Sequence, residues 1–144
     1  MCRRSLSFLV AILATAAVAV PNLFAQPSAP SEPSPAATLA SIKEAIVKAT
    51  GAEGGTVELS ANARAFTVKV VNGKFADGTS AGRENEAGAI ESIVANAITG
   101  KSQFKGIVTI VVEYVKRRSG GRWHVVDSIE FRKDATGAFR HHLT

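Results

Sequence analysis

The stretch Phe104–Arg132, FKGIVTIVVEYVKRRSGGRWHVVDSIEFR, contains two β-branched, aromatic-rich runs separated by Gly120-Gly121, and it reads as a β-hairpin. In the first run Phe104, Val108, Ile110, Val112 and Tyr114 share one parity, and Lys105, Ile107, Thr109, Val111, Glu113 and Val115 the other. A strand that apolar on both sides belongs in the middle of a sheet. In the return run Trp123, Val125, Ile129 and Phe131 are expected on the core face. Arg122, His124, Ser128, Glu130 and Arg132 are expected on the wet face.

Asp127 breaks that alternation, because strict parity places a carboxylate among the core residues, where it is costly without a partner. The sequence offers three structural resolutions: a bulge near Val125-Val126-Asp127 that rotates the side chain outward, a cation such as Arg83, or a backbone amide. The functional alternative is a carboxylate poised in a pocket with Glu113 or Glu84.

Working outward, Gly82–Thr99 reads as an amphipathic helix with the stripe Ala87, Ile90, Ile93, Val94, Ala97 and Ile98, closed by Gly100. Glu84 and Glu86 are expected in its first turn, where they complement the helix dipole. Upstream, Thr56–Ala61 and Phe66–Val71 alternate with opposite parity. Asn62 lies between them and suits either a tight hairpin turn or a bulge in one long strand, of which the hairpin is the favoured reading. Asn72-Gly73 signals another turn, and Lys74-Phe75-Ala76 is too short for a strand. Before these, Ala36–Thr50 carries Leu39, Ile42, Ile46 and Ala49 at helical spacing, with Ser34 as cap, Pro35 at the first position and Gly51 as stop. At the other end, Lys133–Gly137 reads as a turn and Ala138–Leu143 as an edge strand or frayed tail.

The expected fold is therefore α+β, in the order α-β-β-α-β-β, with a mostly antiparallel four- to five-stranded sheet and two helices packed on one face. Residues 36–144 form the single domain. Residues 26–35, QPSAPSEPSP, hold four prolines and three serines and read as a linker. Residues 1–25 have the layout of a secretory signal peptide: Arg3-Arg4, the apolar run Leu6–Val20, and Ala25 at the expected cleavage point. The run is shorter than the roughly 20 residues a spanning helix needs, so no permanent membrane span is expected. The expected localisation is periplasmic or extracellular, by the general secretory route.

Cys2 is the only cysteine, so the domain is held without disulfides and without a thiolate metal site. His141-His142 are neighbours on an expected strand and point to opposite faces, which does not suit one shared ion. No cofactor, metal set or nucleophile motif is expected. The charge of +5 is uneven: residues 26–100 carry six basic and eight acidic side chains, and residues 101–144 nine and four. Lys116, Arg117, Arg118 and Arg122 form the expected binding surface. An anionic envelope polymer, a lipid headgroup or an acidic protein surface are the partners that fit, whereas no groove-reading motif points to nucleic acid.

The leading expectation is an exported, non-catalytic binding or interaction module of the cell envelope or secreted fraction. Two alternatives stand beside it. One is a small hydrolase or lyase using Asp127 with His124 or a glutamate. The other is a carrier with an apolar pocket between helices and sheet.

Overall fold

A computed structural model describes residues 31–53, 56–118 and 120–142. The expected signal segment and linker residues 26–30 lie outside them. The first helix, α1 (Pro35–Thr50), starts where Ser34 Oγ accepts the Ala37 N–H at 3.2 Å and Pro35 takes the first helical position. It stops at Gly51, whose φ of 66° is left-handed and whose N–H reaches Val47 O at 2.9 Å. Its buried stripe is Thr38, Ile42, Ile46 and Thr50, and the Thr50 hydroxyl is satisfied by donating to Ile46 O at 2.8 Å.

The hairpin of β1 (Val57–Ala61) and β2 (Ala65–Val71) turns at Asn62, as the parity flip predicts. The Asn62 side-chain oxygen accepts the N–H groups of Arg64 at 2.9 Å and Ala65 at 2.8 Å, so the turn is closed by the residue that signalled it. Asn72 follows with φ 50°. Its N–H donates to Val115 O and its side-chain oxygen accepts the Arg117 N–H, which clips the end of β2 to the next strand. Lys74–Asp77 forms a 3-10 turn, and α2 (Ser80–Ile98) begins with the Thr79 hydroxyl accepting the Gly82 N–H at 3.1 Å. The helix starts earlier than the spacing suggested, so its first turn carries no acid. Glu84 and Glu86 lie beyond that turn rather than at the dipole's positive end.

After α2 the chain makes a 3-10 turn at Ser102–Phe104, then enters β3 (Thr109–Arg117), β4 (Trp123–Lys133) and β5 (Phe139–His142). The run from Phe104 to Val108, expected in the strand, is thus its approach. Gly106 explains part of this: a Cβ there would lie 2.5 Å from Ala63 O, so the chain crosses the β1–β2 turn at backbone contact. The sheet order is β1-β2-β3-β4-β5. The β2–β3 pair is parallel and the other three are antiparallel, so α2 is the crossover and β3 is central.

The α+β architecture is as expected. Strand residues Val57, Phe66, Val68, Val70, Ile110, Val112, Tyr114, Ile129 and Phe131 share one face and pack with Ile42 and Ile46 of α1 and Ile90 and Val94 of α2. Both helices therefore cover the same side of the sheet. Burying each large aliphatic or aromatic side chain contributes about 1.5–3 kcal/mol, which lets residues 36–144, which contain no cysteine, hold together by their core.

Candidate functional site

In β4 the register shifts by one residue. Tyr114 faces Asp127 and Val115 faces Val125, so Val126 is the extra residue of a β-bulge. On one side of it Ile129 and Phe131 pair with Val112 and Ile110 on the helix-covered face. Asp127 pairs with buried Tyr114 and keeps that face too. On the other side of the bulge every side chain has changed face. Trp123 and Val125, expected in the core, stand on the uncovered face opposite Arg117 and Val115, and are 45% and 52% exposed. His124, expected on the wet face, now lies opposite Lys116 on the helix side and is exposed. The bulge thus resolves the Asp127 anomaly in the reverse sense to that expected: it turns Trp123 and Val125 outward and leaves the carboxylate inside.

Asp127 is held there by Arg83, whose Nε donates to Oδ2 at 2.6 Å, while Oδ1 accepts the Ser128 N–H at 2.9 Å. The same guanidinium donates through Nη1 to Gly78 O at 2.7 Å. The Arg83 carbonyl accepts the Tyr114 hydroxyl at 2.9 Å. One arginine therefore joins the start of α2, the preceding turn, β3 and β4, and the arrangement is a polar staple.

Beside it lies Glu86, which sequence reasoning treated only as a dipole residue. One of its oxygens, Oε2, is buried without a hydrogen-bond partner, and burial raises its pKa, opposed by the Tyr114 hydroxyl and by Lys74. Burial, then the neighbouring Glu86 charge, pushes the Tyr114 phenol strongly up. Tyr114 gives its only proton to Arg83 O. The signal that could have found this group is its spacing: Glu86 lies four residues before Ile90 and beside buried Ala87, on the rim of the apolar stripe.

The groups named for hydrolysis do not converge. Glu113 is on the uncovered face, 3.8 Å from Lys69, and Glu84 is exposed and accepts the Ser80 hydroxyl. His124 is separated from Asp127 by the bulge. Among the clefts are ones of about 480, 360 and 350 Å³, the last of them on the uncovered face of the sheet. The second is lined by Lys74, Phe75, Asn85 and Glu86, and the third by Glu58, Lys69, Glu113, Val115, Trp123 and Val125.

The four basic residues are split by the strand's own alternation. Lys116 turns to the helix side and pairs with Asp77. Arg117 turns to the uncovered side, with its guanidinium 4.7 Å above the Trp123 ring. Arg118 and Arg122 are exposed in the turn, where the Arg118 N–H donates to Arg122 O at 2.9 Å, and Gly120 and Gly121 both have positive φ. Neither makes an ion pair among the described residues. The basic side chains farther along are matched locally: Arg132 with Glu130 at 2.6 Å, and Arg140 with Asp134 at 3.3 Å. Asp134 is held down at about 2, chiefly by the Thr136 hydroxyl. His141 and His142 oppose Phe131 and Glu130 and so occupy different faces. No cluster of metal-ligating side chains occurs among the described residues, and no helix among them is long and apolar enough to cross a membrane.

The chain matches no protein-family model, no curated protein and no solved structure.

Proposed function

We propose that this chain is an exported, non-catalytic binding module of the cell envelope, and that its contact surface is the outer end of the β3–β4 hairpin. The observation that carries this is the pair of apolar side chains, Trp123 and Val125, turned out beside Arg117 by the Val126 bulge. An indole and a valine exposed together on a strand that is otherwise half core need a reason to be outside. Arg118 and Arg122 follow in the turn and form no ion pair among the described residues.

Among the described residues the β4 edge beside this patch has no pairing strand either, since β5 pairs only with Glu130–Lys133. Strand addition is nevertheless disfavoured there, because a bulge twists an edge away from regular pairing. Recognition therefore runs through side chains. The hydrolase reading has less behind it: both Asp127 oxygens are engaged, and neither His124 nor the glutamates named with it reach the carboxylate.

The test is cross-linked capture from the native cells with the full chain, compared with Trp123→Ala and with the double variant Arg117→Glu, Arg118→Glu. Material captured by the wild type, whether protein, polymer or lipid, should be lost from both variants. Capture that is the same with all three would overturn the assignment.

A further inference from the structure

We infer that the surface engaged by this hairpin end is a bilayer face rich in anionic lipid headgroups; the inference rests on the binding-module reading above and names its partner. The chemistry of the patch is that of an interfacial anchor. Trp123 has an apolar ring with an N–H donor at its edge, a combination that settles at the boundary between headgroups and acyl chains. Val125, on the same face and 52% exposed, adds apolar area beside it. Arg117, Arg118 and Arg122 supply three guanidinium groups, each able to hold a phosphate oxygen pair in a forked hydrogen bond.

Charge complementarity limits both where the contact lies and what it is. Toward the middle of the uncovered face, Glu58, Glu113 and Glu130 are interspersed with Lys69 and Arg132, which pair with Glu113 and Glu130, so a polyanion lying flat across the sheet would meet mixed charge with no continuous basic track. The cleft beside Trp123 and Val125 still holds Glu58 and Glu113, with Glu113 near Lys69, but from Lys116 to Arg122 every charged side chain is basic: Lys116 is held by Asp77, and the arginines form no ion pair among the described residues. A folded acidic protein would need an interface on the order of 1,000 Å² in total, with shape complementarity. The end of a two-stranded hairpin offers two apolar side chains and a Gly-Gly turn. A fluid lipid surface moulds itself to such a projection, and Gly120 and Gly121, lacking side chains, let the backbone come close.

Trp123 is the only tryptophan, so its fluorescence reports this one place. The full chain is titrated with vesicles of phosphatidylglycerol and phosphatidylcholine in equal parts, with phosphatidylcholine alone, and with polyglutamate. Acrylamide quenching is followed alongside emission. The anionic vesicles should shift Trp123 emission to the blue and protect it from acrylamide, and added salt should weaken the effect; neutral vesicles should do neither. The double variant Arg117→Glu, Arg118→Glu, shown by circular dichroism to be folded, should partition about 30-fold more weakly or worse.

Unmoved Trp123 emission on anionic vesicles would overturn the inference even if the chain sediments with them, since attachment would then run through another segment such as Leu6–Val20. An equal shift in the double variant would overturn it too. If vesicles fail while polyglutamate moves the emission, or while cellular capture is still lost in the variants, the lipid assignment falls and the binding-module reading stands. If capture is also indifferent to the variants, both fall.

Discussion

The β3–β4 hairpin is two structures joined at Val126. Below the bulge, Ile110 faces Phe131 and Val112 faces Ile129, all buried under the helices. Above it, Val115 faces Val125 and Arg117 faces Trp123, on the side the helices do not cover. The two halves keep the same alternation, yet in the lower half both strands bury their paired side chains, whereas in the upper half Val115 is buried and its β4 neighbours Val125 and Trp123 are exposed. The difference teaches that an aromatic's place in a strand is set by the running count of residues along the ladder, and one extra residue resets that count for everything beyond it.

The contrast breaks most visibly if its lower half is truncated. Phe131→Ala should cost about 3–5 kcal/mol, whereas Trp123→Ala should cost about 1 kcal/mol, because 45% of that residue is already exposed. Urea denaturation of the two variants decides this, and similar losses would mean that the upper half is packed after all.

A smaller effect is expected at the junction. Arg83→Ala leaves Asp127 partly buried without its cation and removes the Gly78 contact, for about 3 kcal/mol, while Asp127→Asn should cost about 2 kcal/mol. A double-mutant cycle should show the pair strongly coupled. Additive losses would show that the staple acts through its carbonyl contacts instead.

The smallest effect is a pH dependence beneath the lower half. Glu86 has a folded-state pKa raised above its ordinary 4.5. Stability from its neutral form is therefore full below pH 4.5 and is lost as pH climbs through the raised folded value. Glu86→Gln keeps the neutral form throughout. The variant should match the wild type at low pH and become relatively more stable as pH rises, read from urea midpoints of both proteins across a pH series. A wild-type-to-variant difference that does not change with pH would show that the carboxyl is solvated.

Much of this fold was legible because local chemistry and global pattern agreed. Ser34, Pro35 and Gly51 bracket α1 where the apolar spacing begins and ends. Asn62 turns the first hairpin at the point where parity flips. Asp127 announced a conflict at the right place, and Arg83 was among the partners able to answer it. The direction of the answer was not legible. A bulge conserves composition, so nothing in Trp123-His124-Val125 tells which side of the defect stays in phase with the core; β3 decides that, through Tyr114. Glu86 escaped for a related reason. Its burial depends on α2 beginning at Ser80 and lying across β3, a tertiary fact that a charge near an expected helix start does not encode.

The position of β3 has a consequence for the growing chain. Its neighbours come from opposite ends of the domain: β2 is made before it and β4 after it. Until Trp123–Lys133 has emerged, β3 is an outer strand, with the backbone groups on that side unpaired and with Ile110, Val111, Val112 and Val115 spread over both faces. An apolar, unpaired edge is a template for joining another chain. The strands made after β3 are thus what close the nascent protein against its own copies, and the charges of Lys116, Arg117 and Arg118 at the end of β3 oppose pairing of that edge during the interval.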